Sequence, residues 1–75
     1  MPFIDIKVIE GVFTPEEKRE LVERVSEAVI AVEGEALRPI THPAVTEPPS
    51  GEWAVGGSAK TADDVKALRS AAAAV

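Results

Sequence analysis

The stretch TPEEKRELVERVSEAVIAVEG, residues 14–34, predicts the central element of the fold, an amphipathic helix. Thr14 is typical of an N-cap, Pro15 suits the first helical position, and Glu17 completes a capping box with Thr14. Gly34 is a natural end for such a helix. Charged residues fill one face, and apolar residues follow helical spacing on the other: Leu21, Val22, Val25, Ala28, Val29 and Val32.

The segments on either side of this helix predict two strands. Residues 2–9 alternate between faces, with Ile4, Ile6 and Val8 on one side, which is typical of a half-buried strand. Residues 40–47 favour a second strand, at a sheet edge or with a bulge, because a proline within it cannot donate a ladder hydrogen bond. Strand, helix and strand in this order predict an α+β subunit with a parallel pair and a right-handed crossover.

The C-terminal third predicts shorter elements. Residues 48–51, Pro-Pro-Ser-Gly, form a turn, and residues 52–55 form a short apolar extended segment that Gly56-Gly57 closes. Thr61 then opens a second, weakly amphipathic helix, and residues 71–75 are expected to be frayed.

Length and composition predict association with further copies of the chain. Seventy-five residues allow one domain, residues 1–75, in which we interpret residues 57–75 as a C-terminal extension. A chain of this size buries only about 60% of its unfolded surface. It has no cysteine for disulfides or thiolate catalysis and one histidine, His42, which excludes a histidine-cluster metal site. Two strands and one helix are marginal alone, so we expect a homo-oligomer.

The charge balance excludes several classes of partner. Eight Lys and Arg against thirteen Asp and Glu give a net charge of -5, and the basic residues form no stripe that would bind nucleic acid. No apolar run approaches the ~20 residues of a membrane span. The N-terminus lacks the basic region of a signal peptide. We therefore expect a soluble, cytoplasmic protein without nucleic-acid or membrane partners.

Pro2 is the first candidate for chemistry. Removal of Met1 would leave a secondary amine at the chain terminus, and free α-amino groups have a pKa of about 7.7–8.0. An apolar pocket would lower that pKa and create a base that works near neutral pH. Phe3, Trp53 and Val55 are candidate walls for such a pocket. The alternative is that Pro2 simply opens a strand, a position that proline tolerates.

Over roughly residues 2–57, the chain resembles the 4-oxalocrotonate tautomerase family. The similarity lies in MPFIDIKVIEG at residues 1–11, in residues 16–18 and 25–28, and in GEWAVGG at residues 51–57. This resemblance implies a β-α-β subunit that dimerises into a four-stranded sheet, with three dimers in a hexamer. It also implies an isomerase without metal or organic cofactor, whose N-terminal proline moves a proton between carbons of a small enol or unsaturated keto acid.

Residue by residue, the resemblance makes Pro2 the catalytic base and Trp53 an apolar wall of the substrate pocket. Two positions depart from the family's type member. Val12 stands where that member has an arginine directly after Glu-Gly, and Thr41 or His42 stands where it has a second arginine in strand two. The chain looks more like a longer-tailed branch of the family, with an added segment such as residues 60–69.

Arg38 and His42 are the remaining candidates for binding the substrate. Arg38 is either a clamp for a substrate carboxylate or a structural cation, solvated or paired with another subunit. His42 is either a substrate-binding residue or a strand residue with a satisfied ring. A neighbouring subunit's Arg69 is a further possible clamp.

Three functions remain open. The first is a tautomerase with Pro2 as general base. The second keeps the fold but uses a cationic Pro2 as an acid, in a hydratase, dehalogenase or decarboxylase. The third is a non-catalytic oligomeric subunit or binding module, which the missing arginine after Gly11 favours.

Overall fold

The computed structural model describes residues 2–73, and the side chains of residues 2–71. Within that range the chain forms two compact units, the first from residues 2–6 and 14–46 and the second from residues 7–13 and 47–73. The elements in chain order are β1 (Phe3–Lys7), α1 (Pro15–Glu33), a 3₁₀ helix (Glu35–Ile40), β2 (His42–Thr46), β3 (Trp53–Val55), β4 (Ser58–Lys60) and α2 (Ala62–Ala73).

The ends of α1 confirm the prediction from the sequence. The Glu17 N–H donates to Thr14 Oγ1 at 3.1 Å, and the Thr14 N–H donates to Glu17 Oε1 at 3.0 Å, which is the reciprocal pairing of a capping box. At the other end, the Gly34 N–H donates to the Ile30 carbonyl at 2.8 Å. Gly34 has a φ of 106°, which glycine adopts without steric cost because it has no Cβ.

The buried face of α1 agrees only in part with the predicted one. Leu21, Val22, Val25 and Val29 are half-buried, as predicted. Ile30 is the buried residue of this helix, with 4% of its surface exposed, whereas Val32 is 90% exposed. Val32 lies two residues beyond Ile30 and therefore about 200° around the helix axis. The prediction that Val32 belongs to the packed face is wrong.

In the first unit, β1 and β2 form a two-stranded sheet. The His42 N–H donates to the Pro2 carbonyl at 3.0 Å, and the Thr46 hydroxyl donates to Asp5 Oδ1 at 2.9 Å. The later residue of β1, Asp5, contacts the later residue of β2, Thr46, so the two strands run in the same direction and are parallel, as predicted. The helix α1 connects the strands and packs on β2, which confirms the α+β, β-α-β prediction.

The 3₁₀ helix was not predicted, and it displaces the start of β2. The predicted strand began at residue 40, but β2 begins at His42. The Leu37 N–H donates to the Gly34 carbonyl at 3.1 Å and the Thr41 N–H donates to the Arg38 carbonyl at 3.3 Å. Such bonds over three residues need no repeating apolar pattern, so hydrophobic periodicity does not reveal them. The first strand is also shorter than predicted, since β1 ends at Lys7.

The second unit contains an antiparallel hairpin that the sequence predicted only in part. The extended segment before Gly56-Gly57 is the strand β3, and the missed strand β4 pairs with it, Trp53 opposite Lys60. Gly56 and Gly57 have φ values of 58° and 83°, and a two-residue loop with both φ values positive matches the twist of a hairpin.

The C-terminal helix α2 begins where it was predicted. The Asp64 N–H donates to Thr61 Oγ1 at 3.2 Å, and the Thr61 N–H donates to Asp64 Oδ2 at 2.9 Å. The helix continues through Ala73, so the expected fraying is wrong for residues 71–73, and residues 74–75 lie outside the described range.

The described residues form only small cores. Ile30 is the one buried residue of the first unit, and Ile9 and Val12 are the buried residues of the second, at 8% and 7% exposure. Large apolar side chains remain exposed in both units, among them Phe3, Val32, Val55 and Leu68. Between residues 2 and 73, no helix combines the length and apolar character that a bilayer span requires.

Candidate functional site

Pro2 immediately precedes β1 and is half-buried. Its carbonyl accepts the hydrogen bond from the His42 N–H, the first residue of β2. This bond ties the backbone of Pro2 to the neighbouring strand on the carbonyl side of the residue. The Pro2 nitrogen is therefore held at one end of the sheet.

His42 lies at the same end of the sheet as Pro2. Its ring stacks on Phe3 with 5.4 Å between centroids and 25° between planes, and both side chains are exposed. Stacking occupies a face of the imidazole and leaves its nitrogens pointing in the plane of the ring. The parallel pairing of β1 and β2 thus brings together Pro2, the only histidine of the chain and an aromatic ring.

Arg38 is held by two carboxylates of its own unit. Nη1 and Nη2 donate to Glu27 at 2.7 and 3.0 Å, and Nε and Nη2 donate to Glu35 at 2.8 and 2.9 Å. These hydrogen bonds from the guanidinium lower the pKa of both carboxyl groups and raise the pKa of Arg38. An ion pair within one chain is an arrangement that neither sequence-based alternative specified.

Glu33, the last residue of α1, contacts the residue directly before β2, which sequence reasoning did not predict. The Thr41 hydroxyl bonds to Glu33 Oε1 and lies 2.8 Å from the Leu37 carbonyl. Glu33 Oε2 is buried and has no hydrogen-bond partner among the described residues, which is a costly state for a carboxyl oxygen. Because Thr41 directly precedes His42, this contact positions the start of β2. A single glutamate before the glycine that ends a helix does not indicate, from sequence alone, that its side chain will contact the residue before β2.

The second unit contains an open groove of about 670 Å³. This volume lies within the ~300–1,000 Å³ range of small-molecule sites. Trp53 is half-buried and forms one wall, Lys60 opposite it in the hairpin forms part of the rim, and α2 closes a further side. Nine of the eleven lining residues are apolar: Val8, Ile9, Val12, Phe13, Trp53, Val55, Val65, Ala67 and Leu68.

Val12 is one of the two buried residues of this unit and lines the groove with an aliphatic side chain. It occupies the position after Gly11 at which the type member of the resembled family has an arginine. This part of the groove wall is therefore apolar, whereas the type member of the family has a cationic side chain at the same position.

The predicted site residues are distributed over both units. Pro2, Arg38 and His42 belong to the first unit, and Trp53 belongs to the second. Pro2 and His42 are joined by a hydrogen bond, whereas Arg38 is engaged with Glu27 and Glu35. Among residues 2–73, no three carboxylates or imidazoles converge in a way that would hold a metal ion.

Comparison with known proteins identifies the family. Residues 2–63 match the family model described as "Tautomerase enzyme". The chain belongs to the tautomerase family. This membership confirms the resemblance and supports a function within the tautomerase superfamily.

Solved tautomerase structures are similar in both sequence and fold. One is a 4-oxalocrotonate tautomerase isozyme from Methylibium petroleiphilum, 30% identical, with a TM-score of 0.69 over 85% of this chain and 97% of that chain. Another is YwhB, a homologue of 4-oxalocrotonate tautomerase, 35% identical, with a TM-score of 0.67 over 84% of this chain and 97% of that chain. No curated protein matches the chain.

The tautomerase match ends near the start of α2. It covers residues 2–63, whereas α2 extends from Ala62 to Ala73. The groove of the second unit therefore combines residues within the tautomerase match, such as Trp53, with residues beyond it, such as Val65 and Leu68.

Proposed function

We propose that this protein is a cofactor-independent tautomerase of small enol or unsaturated keto acids, with Pro2 as its general base. The observation that carries the proposal is that the tautomerase match begins at residue 2, the proline that β2 holds in place through the Pro2 carbonyl. Removal of Met1 would make the nitrogen of this residue the terminal amine.

The proposed reaction needs one base that works in both directions. Neutral Pro2 removes a proton, from a carbon next to the carbonyl of a keto acid or from the hydroxyl group of an enol acid, and leaves a conjugated enolate. The resulting ammonium returns a proton to another carbon, and the double bond shifts. An α-amino group with a pKa of about 7.7–8.0 or lower exists in both forms near neutral pH, which suits this exchange.

Substrate binding is proposed for His42, Trp53 and Arg38. His42 is the strongest of these candidates in the first unit, because it lies next to Pro2 on the sheet. Trp53 would contact the apolar part of the substrate. Arg38 would have to release Glu27 or Glu35 before it could clamp a substrate carboxylate.

Assembly into a homo-oligomer, and a hexamer in particular, belongs to the same proposal. Each unit has a small core and exposed apolar side chains, which favours burial against further copies. Completion of the two-stranded sheet in a dimer would pair strand edges that are otherwise open. The expected cytoplasmic location stays a prediction.

Replacement of Pro2 by alanine tests the chemistry. A primary amine with a freer backbone would replace the secondary amine, so we expect kcat to fall by roughly 10²–10⁴, the contribution of a positioned acid-base group. Turnover of 2-hydroxymuconate and phenylenolpyruvate is measured on protein whose intact mass shows that Met1 is absent. Equal turnover by protein that retains Met1 would exclude the amine as base, because an amide nitrogen is not basic near neutral pH.

A non-catalytic binding module is the second candidate, and buried Val12 favours it because no arginine occupies that position. If protein with a verified free Pro2 amine turns over no keto or enol acid, that result would support this candidate.

The pH dependence of kcat/KM distinguishes Pro2 as a base from Pro2 as an acid. For Pro2 as base, kcat/KM rises with pH through the ionisation of the amine, whereas for Pro2 as acid in a hydratase, dehalogenase or decarboxylase it falls.

A further inference from the structure

Thr41 joins the end of α1 to the start of β2. Its hydroxyl donates to Oε1 of Glu33, the last residue of α1, and lies 2.8 Å from the Leu37 carbonyl oxygen. Its N–H donates to the Arg38 carbonyl at 3.3 Å. The backbone and the side chain of Thr41 are therefore both held directly before β2 begins.

The peptide unit that follows Thr41 holds Pro2. It carries the N–H of His42, which donates to the Pro2 carbonyl at 3.0 Å. A peptide unit is planar and moves as one body, so a displacement of Thr41 also displaces this donor. The contact that Thr41 makes with α1 therefore reaches the proposed base through a single peptide unit.

The Pro2 carbonyl in turn restricts the position of the Pro2 nitrogen. The peptide unit between residues 2 and 3 is held by β1, which begins at residue 3, and by the bond from the His42 N–H. With that unit fixed, the nitrogen moves by rotation about the Cα–C bond, and the side chain of Pro2 is half-buried. A base must stay within about 2.6–3.2 Å of its proton, and a misplacement of about 1 Å costs about 10²-fold in rate.

The Glu33 carboxyl group carries a cost for the fold. Among the described residues, its Oε2 is buried without a hydrogen-bond partner, whereas its Oε1 meets Thr41. An apolar side chain would avoid that cost, and the Thr41 hydroxyl would keep an acceptor in the Leu37 carbonyl. A carboxyl group at this position therefore favours a role other than stabilisation of the fold.

We propose that Glu33 and Thr41 are positioning residues for Pro2. Their contact fixes the peptide unit whose N–H holds the Pro2 carbonyl, and so sets the position of the Pro2 nitrogen. This inference rests on the proposed function, because the position of the nitrogen affects turnover only if Pro2 is the base. The role requires no contact with the substrate, and every residue in this chain of contacts belongs to the first unit.

Two substitutions remove the contact from opposite sides. Thr41→Val removes the hydroxyl, and Glu33→Met removes its acceptor. We expect either change to lower kcat for 2-hydroxymuconate and phenylenolpyruvate by about tenfold or more. KM should stay within about threefold, because the stack of the His42 ring on Phe3 does not depend on the contact. Thr41→Ser keeps a hydroxyl and should keep kcat within about threefold. The full-length protein is used, with removal of Met1 verified by intact mass.

Thr46→Val is the matched control. The Thr46 hydroxyl donates to Asp5 Oδ1 at 2.9 Å, so the same substitution breaks a contact of the same kind at the other end of β2. We expect it to change kcat by less than about twofold. An equal loss in Thr41→Val and Thr46→Val would mean that any weakening of the sheet slows turnover, and would overturn the inference.

A double-mutant cycle tests whether Glu33 and Thr41 act through their shared contact. The variant with both changes should have the kcat of the single variants within about twofold, because one contact is lost only once. Multiplied losses overturn the inference. So does a lowered urea midpoint with unchanged kcat, which is the result of a purely structural role, and so does a change confined to KM. If Thr41→Val does not fold, Glu33→Met alone decides, since Thr41 then keeps the Leu37 carbonyl as acceptor.

Hydrogen exchange of the His42 amide separates this inference from the proposed function. Loss of the contact should speed its exchange in Thr41→Val by about tenfold or more, and Thr46→Val should not. If that amide exchanges faster while Pro2→Ala leaves turnover unchanged, the contact holds Pro2 and the proposed function is wrong. If Pro2→Ala abolishes turnover while Thr41→Val changes neither kcat nor this exchange, only the positioning role is wrong.

Discussion

At the scale of single residues, Arg38 illustrates how a candidate binding group is engaged by its own chain. Sequence reasoning placed it near the entry to strand two and left open a clamp or a structural cation. The structure gives it bidentate contacts to Glu27 and Glu35. All three side chains are exposed, so the pairs are screened by solvent and contribute little to folding.

The Arg38 cluster predicts a pH-dependent difference between the wild type and Arg38→Gln. Its hydrogen bonds hold the pKa of Glu27 and of Glu35 below 4.5, so their stabilising contribution is present above that pH. It is lost as the pH falls through the lower folded-state values. We expect the Tm difference between wild type and Arg38→Gln to shrink in acid, with NMR titration showing both pKa values raised in the variant.

The same variant separates the two roles of Arg38. A clamp would make Arg38→Gln raise KM for a keto acid by about tenfold or more, as the loss of a charge-assisted contact implies. An ion pair that only joins the 3₁₀ helix to α1 would leave KM unchanged and alter the pH dependence of Tm alone. A Tm difference that stays constant across acidic pH would contradict the lowered pKa values.

At the scale of elements, interactions between residues close in sequence predict both ends of α1 but only the turn of the hairpin. The capping box and Gly34 mark both ends of α1 by bonds between residues three or four apart. The hairpin has an equally local turn at Gly56-Gly57, but β4 is only three residues long, Ser58–Lys60, and carries no alternating apolar pattern. Its pairing with Trp53 became evident only from the three-dimensional structure.

The turn of this hairpin supplies the prediction at the element scale. Gly56 has a φ of 58°, and a Cβ added there would meet no atom within 4 Å, so any cost of substitution arises from the backbone conformation. We expect Gly56→Ala to lower the free energy of unfolding by about 1 kcal/mol, the cost of a left-handed L-residue. Urea denaturation measures it.

Gly56→Asn is the control for that substitution, because asparagine tolerates the left-handed conformation that alanine avoids. It should cost less than Gly56→Ala. Equal losses in the two variants would show that the glycine is needed for another reason, and equal stability of Gly56→Ala and the wild type would contradict the turn geometry.

At the scale of the whole molecule, the exposed apolar surface predicts self-association. Among the described residues, only Ile9, Val12 and Ile30 are buried, whereas Phe3, Val32 and Leu68 are 76%, 90% and 71% exposed. Small domains without disulfides or metals are usually stabilised by association. Sedimentation equilibrium at micromolar concentration should therefore give about six times the mass of the 7.9 kDa chain. A folded monomer under those conditions would contradict both the oligomer and any site that subunits share.

The sequence by itself determined what depends on neighbours a few residues apart. It located α1 with its caps, the two strands of the β-α-β unit, the start of α2 and, through Pro2 and the GEWAVGG segment, the family. These features were readable because helix caps, turns and strand alternation are short-range interactions.

Only the tertiary structure decided which distant residues meet. The pairing of His42 with Pro2, the engagement of Arg38 by Glu27 and the hydrogen bond from Arg69 to the Val12 carbonyl join residues 11 to 57 positions apart. The outer limits of the packed face of α1 were likewise decided by the fold, in which α1 packs on β2, Ile30 is buried and Val32 is exposed. No local pattern encodes such contacts, because they form only when the folded backbone brings separate elements together and buries their side chains.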